Sequence, residues 1–319
     1  MNAVELKAVR KSYDQFVAVD DLSFAIPAGE IFGLLGPNGA GKTSTIRMML
    51  GITIPDAGEV LLFGEKFRRA LLHRVGYLPE ERGLYRKMKV GDHLIFLAEL
   101  TGLDRPEAAR RARQWCERME IAGWIEKKVE ELSKGMQQKI QFVATILHDP
   151  EFIVMDEPFA GLDPVNSKLL LDVLLELKQK GKTILFSTHR MDTVERLCDS
   201  ICLINRGKAV LVGDLKQIKG RYGRNHVQIA CEGDGAGPGL AFLKQSPLVK
   251  TVTDFGNYAE VALAPGADAQ ALLHEVAARA KIAKFELVEP SLEEIFIDVV
   301  GKDAESDGAM ERWRASGRQ

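Results

Sequence analysis

Apolar and polar positions alternate through residues 1–30, the period of short half-buried strands, and the stretch closes at the turn Pro27-Ala28-Gly29. IFGLLG (31–36) is an unbroken apolar run and predicts a buried strand. It enters the Gly-rich segment PNGAGKT (37–43), after which STIRMMLGI (44–52) carries helical spacing. Further short strands are predicted near 59–63 and 74–78. From about 86 to 148 the period turns helical, punctuated by Gly102 and Gly123. FIVMD (152–156) and TILFST (183–188) read as buried strands. An amphipathic helix over 166–180, stopped by Gly181, lies between them, and a helix over 190–198 follows. This alternation predicts a mainly parallel α/β core with a helical insertion.

Near Gly220 the character changes. RYGRN is a polar hinge, and EGDGAGPG (232–239) is a Gly-rich loop. Strand patterns at 226–231, 250–255, 258–263 and 281–288 enclose helical patterns near 240–245 and 268–280. The order β-α-β-β-α-β predicts a small ferredoxin-like α+β sandwich. A last helix over PSLEEIFIDVV begins at Pro290 and Ser291, with Glu294 placed for a capping box. The expected organisation is therefore 1–219, with a helical subdomain at about 86–148, then 220–301, then a disordered tail over 302–319.

The chain has 319 residues, which suggests about two domains. Lys and Arg number 43 against 45 Asp and Glu. That balance gives no whole-chain signature of a polyanion binder, and no nucleic-acid partner is expected, although a local basic patch stays open. No apolar run has the length of a membrane span, and MNAVELKAVRKSYD has no signal-peptide core. Four Cys suit a reducing cytoplasm. Cys198 and Cys202 have a spacing open to a metal pair, but no second Cys/His pair completes a four-ligand site, so buried thiols are expected.

The chemistry is concentrated in a few segments. Gly36-Pro37-Asn38-Gly39-Ala40-Gly41-Lys42-Thr43 matches G-x-x-x-x-G-K-[ST] between a strand and a helix. Its glycines let backbone N–H groups turn inward as an anion nest, and the helix opening near Lys42 adds the positive end of its dipole. Lys42 is placed to reach β- and γ-phosphates and the Thr43 hydroxyl to bind Mg²⁺. FIVMDEP puts Asp156 at a strand's C-terminal tip, where α/β sheets bind ligands, as a further Mg²⁺ group. The adjacent Glu157 is the better candidate for polarising an attacking water. LSKGMQQK (132–139) opens another helix with Ser133 and Gly135, a second anion cradle. One ATP does not readily need two separate cradles, and a head-to-tail dimer resolves this by closing the 133–135 turn on the ATP held by the partner.

Over about residues 4–217 the chain resembles the nucleotide-binding subunit of an ABC transporter, a P-loop NTPase with an antiparallel β subdomain and a helical subdomain. The resemblance implies bound ATP and Mg²⁺, with Gly36, Pro37, Asn38, Gly39, Ala40, Gly41, Lys42, Thr43 and Ser44 around the phosphates. Tyr13 matches the A-loop aromatic that stacks on adenine. Glu80, in VGYLPEERGLY, falls where the family usually carries its Q-loop glutamine, and as an oxygen donor it suits a metal or water contact. Ser133 and Gly135 match the signature, Asp156 and Glu157 match Walker B and the catalytic glutamate, Asp163 in GLDP matches the D-loop, and His189 in LFSTHRM matches the switch histidine on the γ-phosphate. The chain departs from the pattern at Glu80, at Lys134 in place of the first signature glycine and at Met136 in place of the signature glutamine. Lys134 would either add a positive charge near the γ-phosphate or face solvent.

The pairing of GYLPEERGLY with SKGMQQK is similar to the bacterial efflux branch that includes NatA-type sodium exporters, and EPSLEEIFIDVVG (289–301) is similar to the C-terminal extension of those ATPases. This implies a cytoplasmic ATPase peripheral on the inner membrane face. It would work as a homodimer or pseudo-dimer of nucleotide-binding domains and drive export of an ion, drug or lipid-like substrate through a separate integral membrane permease. Permease contact is expected beside Glu80 and along 86–130, where Leu94, Leu97 and Ala98 form an apolar face that core packing would equally explain. The competing reading is a soluble ABC ATPase acting on ribosomes or DNA. Ribosome-acting members usually carry two cassettes and DNA-repair members long insertions, and this chain has neither. A GTPase is disfavoured because no N-K-x-D motif occurs.

Overall fold

Two twelve-residue strands, β1 (Asn2–Tyr13) and β2 (Phe16–Pro27), open the chain as an antiparallel hairpin. The expected series of short strands is thus two long ones. The alternation that suggested separate pieces is broken by register shifts: Val4, Leu6 and Val9 are all buried, but the spacing changes from two to three where the β1–β2 pairing shifts between Leu6 and Val9. The computed structural model describes residues 1–81, 83–222, 226–232, 238–296 and 299. The expected tail over 302–319 and most of the Gly-rich loop after Glu232 lie outside the described residues.

The chain continues with β3 (Ile31–Leu35), α1 (Lys42–Met49), β4 (Ala57–Leu62), β5 (Glu65–Lys66) and β6 (Val75–Leu78). Next come α2 (Val90–Leu100), α3 (Arg105–Arg118) and α4 (Lys134–Ile146), then β7 (Phe152–Asp156), α5 (Pro164–Gln179), β8 (Thr183–Thr188) and α6 (Met191–Leu197). The strands β9 (Ser200–Asn205) and β10 (Lys208–Asp214) and the helix α7 (Leu215–Tyr222) follow. One sheet has the order β2-β1-β4-β5 and is antiparallel. The other has the order β10-β9-β3-β8-β7-β6; it is parallel except for β10, which runs antiparallel to β9.

Every residue of β3, β7 and β8 is buried, which is why these strands read as unbroken apolar runs. The core fills the space between the two sheets and α1. Leu6, Leu22, Phe24 and Ile26 meet Phe32, Leu34, Phe152 and Val154, with Ile46 and Met49 between them. Phe24 and Phe32 stack with centroids 5.4 Å apart.

Between β6 and β7 lies the helical insertion α2–α4. Asp104 accepts the Glu107 N–H at 2.8 Å as the N-cap of α3, an interaction worth about 1 kcal/mol. Leu94 and Ala98 of α2 are fully buried and serve the core, whereas Phe96 and Leu100 are exposed.

Contacts divide the chain into a unit comprising Met1–Leu215 and a second beginning at Lys216. The second unit contains β11 (His226–Cys231), β12 (Val249–Asp254), β13 (Ala259–Leu263), α8 (Ala269–Ala277) and β14 (Ile282–Val288). Its antiparallel sheet has the order β12-β13-β11-β14 around a core of Val227, Ile229, Leu243, Val261 and Leu272. The helix expected near 240–245 is a 3-10 turn spanning Pro238–Gln245. Ser291 and Glu294 make the predicted reciprocal cap: the Glu294 N–H donates to Ser291 Oγ at 3.2 Å, and the Ser291 N–H donates to Glu294 Oε2 at 3.0 Å.

Candidate functional site

The loop between β3 and α1 folds into a tight cradle because two of its glycines tolerate what other residues do not. Gly36 has φ +150°, and a Cβ there would sit 2.2 Å from the Ile204 carbonyl oxygen. Gly41 has φ +109°, and its Cβ would meet the Ala18 carbonyl oxygen at 2.4 Å. Ala40 is buried and Asn38 and Gly39 form an exposed crown. Among the described residues no side chain caps α1 at Gly41, so its first N–H groups and the positive end of its dipole are left for an anion.

Lys42 begins that helix and is buried, with Nζ donating to the carbonyls of Gly36 at 2.8 Å and Pro37 at 3.2 Å. Burial lowers its pKa from the ordinary lysine value, and the negative charges of Glu157, Asp156 and Glu80 oppose that shift. The ammonium is thus partly dehydrated and held on neutral carbonyls, an arrangement that favours exchange for phosphate oxygens. Thr43 and Ser44 follow, both half-buried.

Asp156 ends β7 opposite Ser187 of β8, and only 1% of its surface is exposed. Thr43 Oγ1 donates to its Oδ2 at 2.8 Å, and the Ser187 hydroxyl donates to its Oδ1. Glu157 follows with a left-handed φ of 50° and donates its N–H to the Ser187 carbonyl at 3.2 Å. Its carboxylate is held by His189 Nδ1 at 2.9 Å on Oε1 and by the Thr188 hydroxyl at 3.3 Å on Oε2. The bond to Glu157 raises the His189 pKa above the ordinary histidine value, against the opposing effect of burial.

Glu80 lies in the loop after β6. Partial burial raises its pKa, and Asp156 and Glu157 raise it further, while Lys42 acts in the opposite sense. The structure therefore gathers Lys42, Thr43, Asp156, Glu157, His189 and Glu80 into one electrostatic neighbourhood at the C-terminal tips of β3, β6, β7 and β8. Two α4 side chains tie the surrounding loops together. Gln141 Nε2 donates to the Pro79 carbonyl at 2.9 Å, and Gln138 Nε2 donates to the Pro158 carbonyl at 3.1 Å.

Other expected site residues stand apart from this hydrogen-bonded cluster. Ser133 is an exposed N-cap of α4, accepting the Met136 N–H at 3.3 Å, and Lys134 is exposed beside it. Half-buried Gly135 packs near Gly161 and Leu162. Asp163 caps α5 by accepting the Asn166 N–H at 2.9 Å. Tyr13 closes β1 with 42% of its surface exposed, and Lys11 Nζ lies 5.8 Å from its ring centroid. Among the described residues no hydrogen bond joins Ser133, Gly135, Asp163 or Tyr13 to the 36–44 loop.

The sequence reading missed Ser187, Thr188, Gln138 and Gln141. The signal that could have found the first two is the pair of hydroxyl residues ending an apolar strand directly before His189. Cys198 and Cys202 are free thiols, and burial pushes the pKa of each upward.

The donor set fits a hard divalent cation: the Thr43 hydroxyl and the Asp156 carboxylate already converge, with Glu80 in the same field. Among the described residues no cluster of three or more His, Cys, Asp and Glu could hold a metal ion. A cation here would therefore draw its remaining ligands from phosphate oxygens and water, the usual habit of Mg²⁺. No described helix is long and apolar enough to cross a membrane.

Comparisons with known proteins agree with this geometry. The family described as "ABC transporter" matches residues 19–160, and a domain described as "ATP-binding protein DrrA1-3-like, C-terminal domain" matches residues 213–300. The chain is 44% identical over 293 residues to the ABC transporter ATP-binding protein YhaQ of Bacillus subtilis, covering 92% of this chain and 97% of that protein. It is 33% identical over 307 residues to the Nod factor export ATP-binding protein I of Rhizobium sp. strain N33, covering 95% of this chain and 98% of that protein. Among solved structures it is similar to an ATP-binding subunit of an ABC transporter, with a TM-score of 0.64 and 32% identity over 69% of this chain and 93% of that one.

Proposed function

The chain belongs to the family of ABC transporter ATP-binding proteins, and from that premise we propose that it hydrolyses ATP to power export through a separate integral membrane permease. The observation that carries the reading is the convergence of Thr43 on Asp156 and of His189 on Glu157, beside an α1 N-terminus that no side chain caps among the described residues.

Lys42 leaves the carbonyls of Gly36 and Pro37 for the β- and γ-phosphates, and the backbone N–H groups of the 36–44 loop line the remaining oxygens. Thr43 and Asp156, with Glu80 alongside, hold Mg²⁺. When bound, that ion neutralises phosphate charge. Glu157 orients and polarises the attacking water, and His189, gripped through Nδ1, turns its other ring nitrogen to the γ-phosphate. Tyr13 stacks on adenine. Ser133 and Gly135 of one protomer complete the site of the other, and Asp163 fixes the loop beside that interface. Hydrolysis then reopens the dimer, the two-state element that drives transport.

Export is supported by the name of the Rhizobium relative, and NatA-type sodium exporters are the branch that the sequence motifs resemble. The substrate class is an ion, a drug or a lipid-like molecule, and the protein sits on the cytoplasmic face of the membrane. Purification of the tagged chain from detergent-solubilised membranes tests the assignment. It should bring down one integral membrane protein, and reconstituting the pair should stimulate ATP turnover. Retention on ribosomes or DNA with no membrane partner would overturn it.

A further inference from the structure

Parallel pairing of β7 and β8 sets Asp156 opposite Ser187. The next residue on each chain is then Glu157 and Thr188, and these two meet through their side chains. Thr188 is only 1% exposed, so its hydroxyl has little access to water. A threonine hydroxyl carries one proton and two acceptor positions. The Arg190 N–H occupies the acceptor side at 3.1 Å, and the proton is directed to Glu157 Oε2 at 3.3 Å. His189 Nδ1 holds the other oxygen at 2.9 Å. The Glu157 backbone is fixed as well, because its N–H is tied to Ser187 and its φ is left-handed.

A glutamate terminal torsion is ordinarily broad and roughly two-fold. With a different donor on each oxygen, this carboxylate has one orientation. His189 is also expected to attend to the γ-phosphate, so its grip on Glu157 is shared, whereas among the described residues the Thr188 hydroxyl bonds Glu157 and the Arg190 N–H that leads into α6. We propose that Thr188 is a positioning residue for Glu157: its hydroxyl holds the carboxylate in the orientation from which it polarises water. This rests on the reading of Glu157 as the water-polarising group, and the test separates the two.

Steady-state and single-turnover ATP hydrolysis by the full chain would be compared for Thr188→Val, Thr188→Ala and Thr188→Ser, each also in a Glu157→Ala background. Loss of the hydroxyl should lower kcat about 10- to 100-fold, the scale of a misplaced catalytic group, with KM within about twofold. Thr188→Ser should restore most of kcat. In the Glu157→Ala background the Thr188 changes should have no further effect, because the group they act through is gone. A purely structural role, such as supporting the turn at Arg190, would lower turnover by the same factor in both backgrounds and overturn the proposal. An unchanged kcat in folded Thr188→Val or Thr188→Ala would also overturn it. Normal turnover in Glu157→Ala would overturn the reading of Glu157 and this proposal with it, whereas strongly lowered but measurable turnover there combined with an independent Thr188 effect would overturn this proposal alone.

Discussion

Thr43 Oγ1 lies 2.8 Å from Asp156 Oδ2, a contact between residues 113 positions apart. It joins the helix that follows β3 to the tip of β7 and so fixes the anion cradle relative to the acidic strand end. Each half alone is common to many folds. Their contact turns them into a site that accepts a phosphate and a hard cation together.

Lys42 should govern nucleotide affinity. Its ammonium is already partly dehydrated and within the field of three carboxylates, so an arriving phosphate gains a charge-assisted bond without the full cost of stripping water from the lysine. Replacing Lys42 by Ala should weaken ATP binding about 10- to 100-fold, the equivalent of one charged hydrogen bond. Titration of a fluorescent ATP analogue measures this, and an unchanged Kd would remove Lys42 from the cradle.

Glu157→Gln should separate binding from turnover. The amide keeps the size of the side chain but is a poor base, so ATP affinity should stay within about twofold while kcat falls about 10²- to 10⁴-fold. The same change should appear at His189, whose pKa is raised by its bond to Glu157. A raised histidine pKa means that the Glu157–imidazolium pair stabilises the fold fully below the unfolded histidine value and is lost as pH rises through the folded value. An NMR titration of the His189 ring should therefore show a midpoint above the ordinary value near 6.5 in the native chain and a lower one in Glu157→Gln. Identical midpoints would mean that the carboxylate does not hold the ring.

How far the sequence revealed this arrangement depended on whether a residue's role is local. IFGLL, FIVMD and TILFST could be read as buried strands because parallel strands covered on both faces need no polar alternation, and all three are fully buried. Lys42 and Thr43 were legible because the glycines that shape their loop are neighbours in sequence. Ser187 and Thr188 were not, because their partners lie 31 positions away and are set by the β7–β8 register. Gln138 and Gln141 look like ordinary polar helix residues, and only tertiary contact shows them holding the carbonyls of Pro158 and Pro79. The hairpin of β1 and β2 was misread as shorter pieces because a bulge breaks alternation without ending a strand.

Glu80 should act in opposite directions with and without metal. Partial burial raises its pKa, and without a cation its nearness to the charges of Asp156 and Glu157 raises it further. Glu80→Gln should relieve the repulsion and leave the melting temperature of the metal-free chain unchanged or higher. With Mg-ATP present, the variant should show a smaller rise in melting temperature and need several-fold more Mg²⁺ for half-maximal turnover, because a charged oxygen donor is gone. Scanning calorimetry and a Mg²⁺ titration at fixed ATP test both signs. Equal Mg²⁺ requirements would take Glu80 out of the metal's surroundings.

His93 should make the insertion sensitive to acid. It is fully buried on α2, among the described residues neither ring nitrogen has a hydrogen-bond partner, and Tyr85 packs edge-on at 5.8 Å. Burial lowers its pKa to about 4 from an ordinary 6.5. Between those values the unfolded chain takes up a proton that the folded chain refuses, so stability is complete above about pH 6.5 and falls as pH drops toward about 4. A one-proton difference changes the unfolding free energy by about 1.4 kcal/mol per pH unit. His93→Leu removes this contribution while keeping an apolar side chain under Tyr85, so its melting temperature should match or exceed the native value at pH 7.5 and fall less at pH 5. Burial also lowers the His148 pKa, and that share of the acid sensitivity should persist in the variant. Parallel acid curves for the two proteins would show that His93 is not kept neutral by the fold.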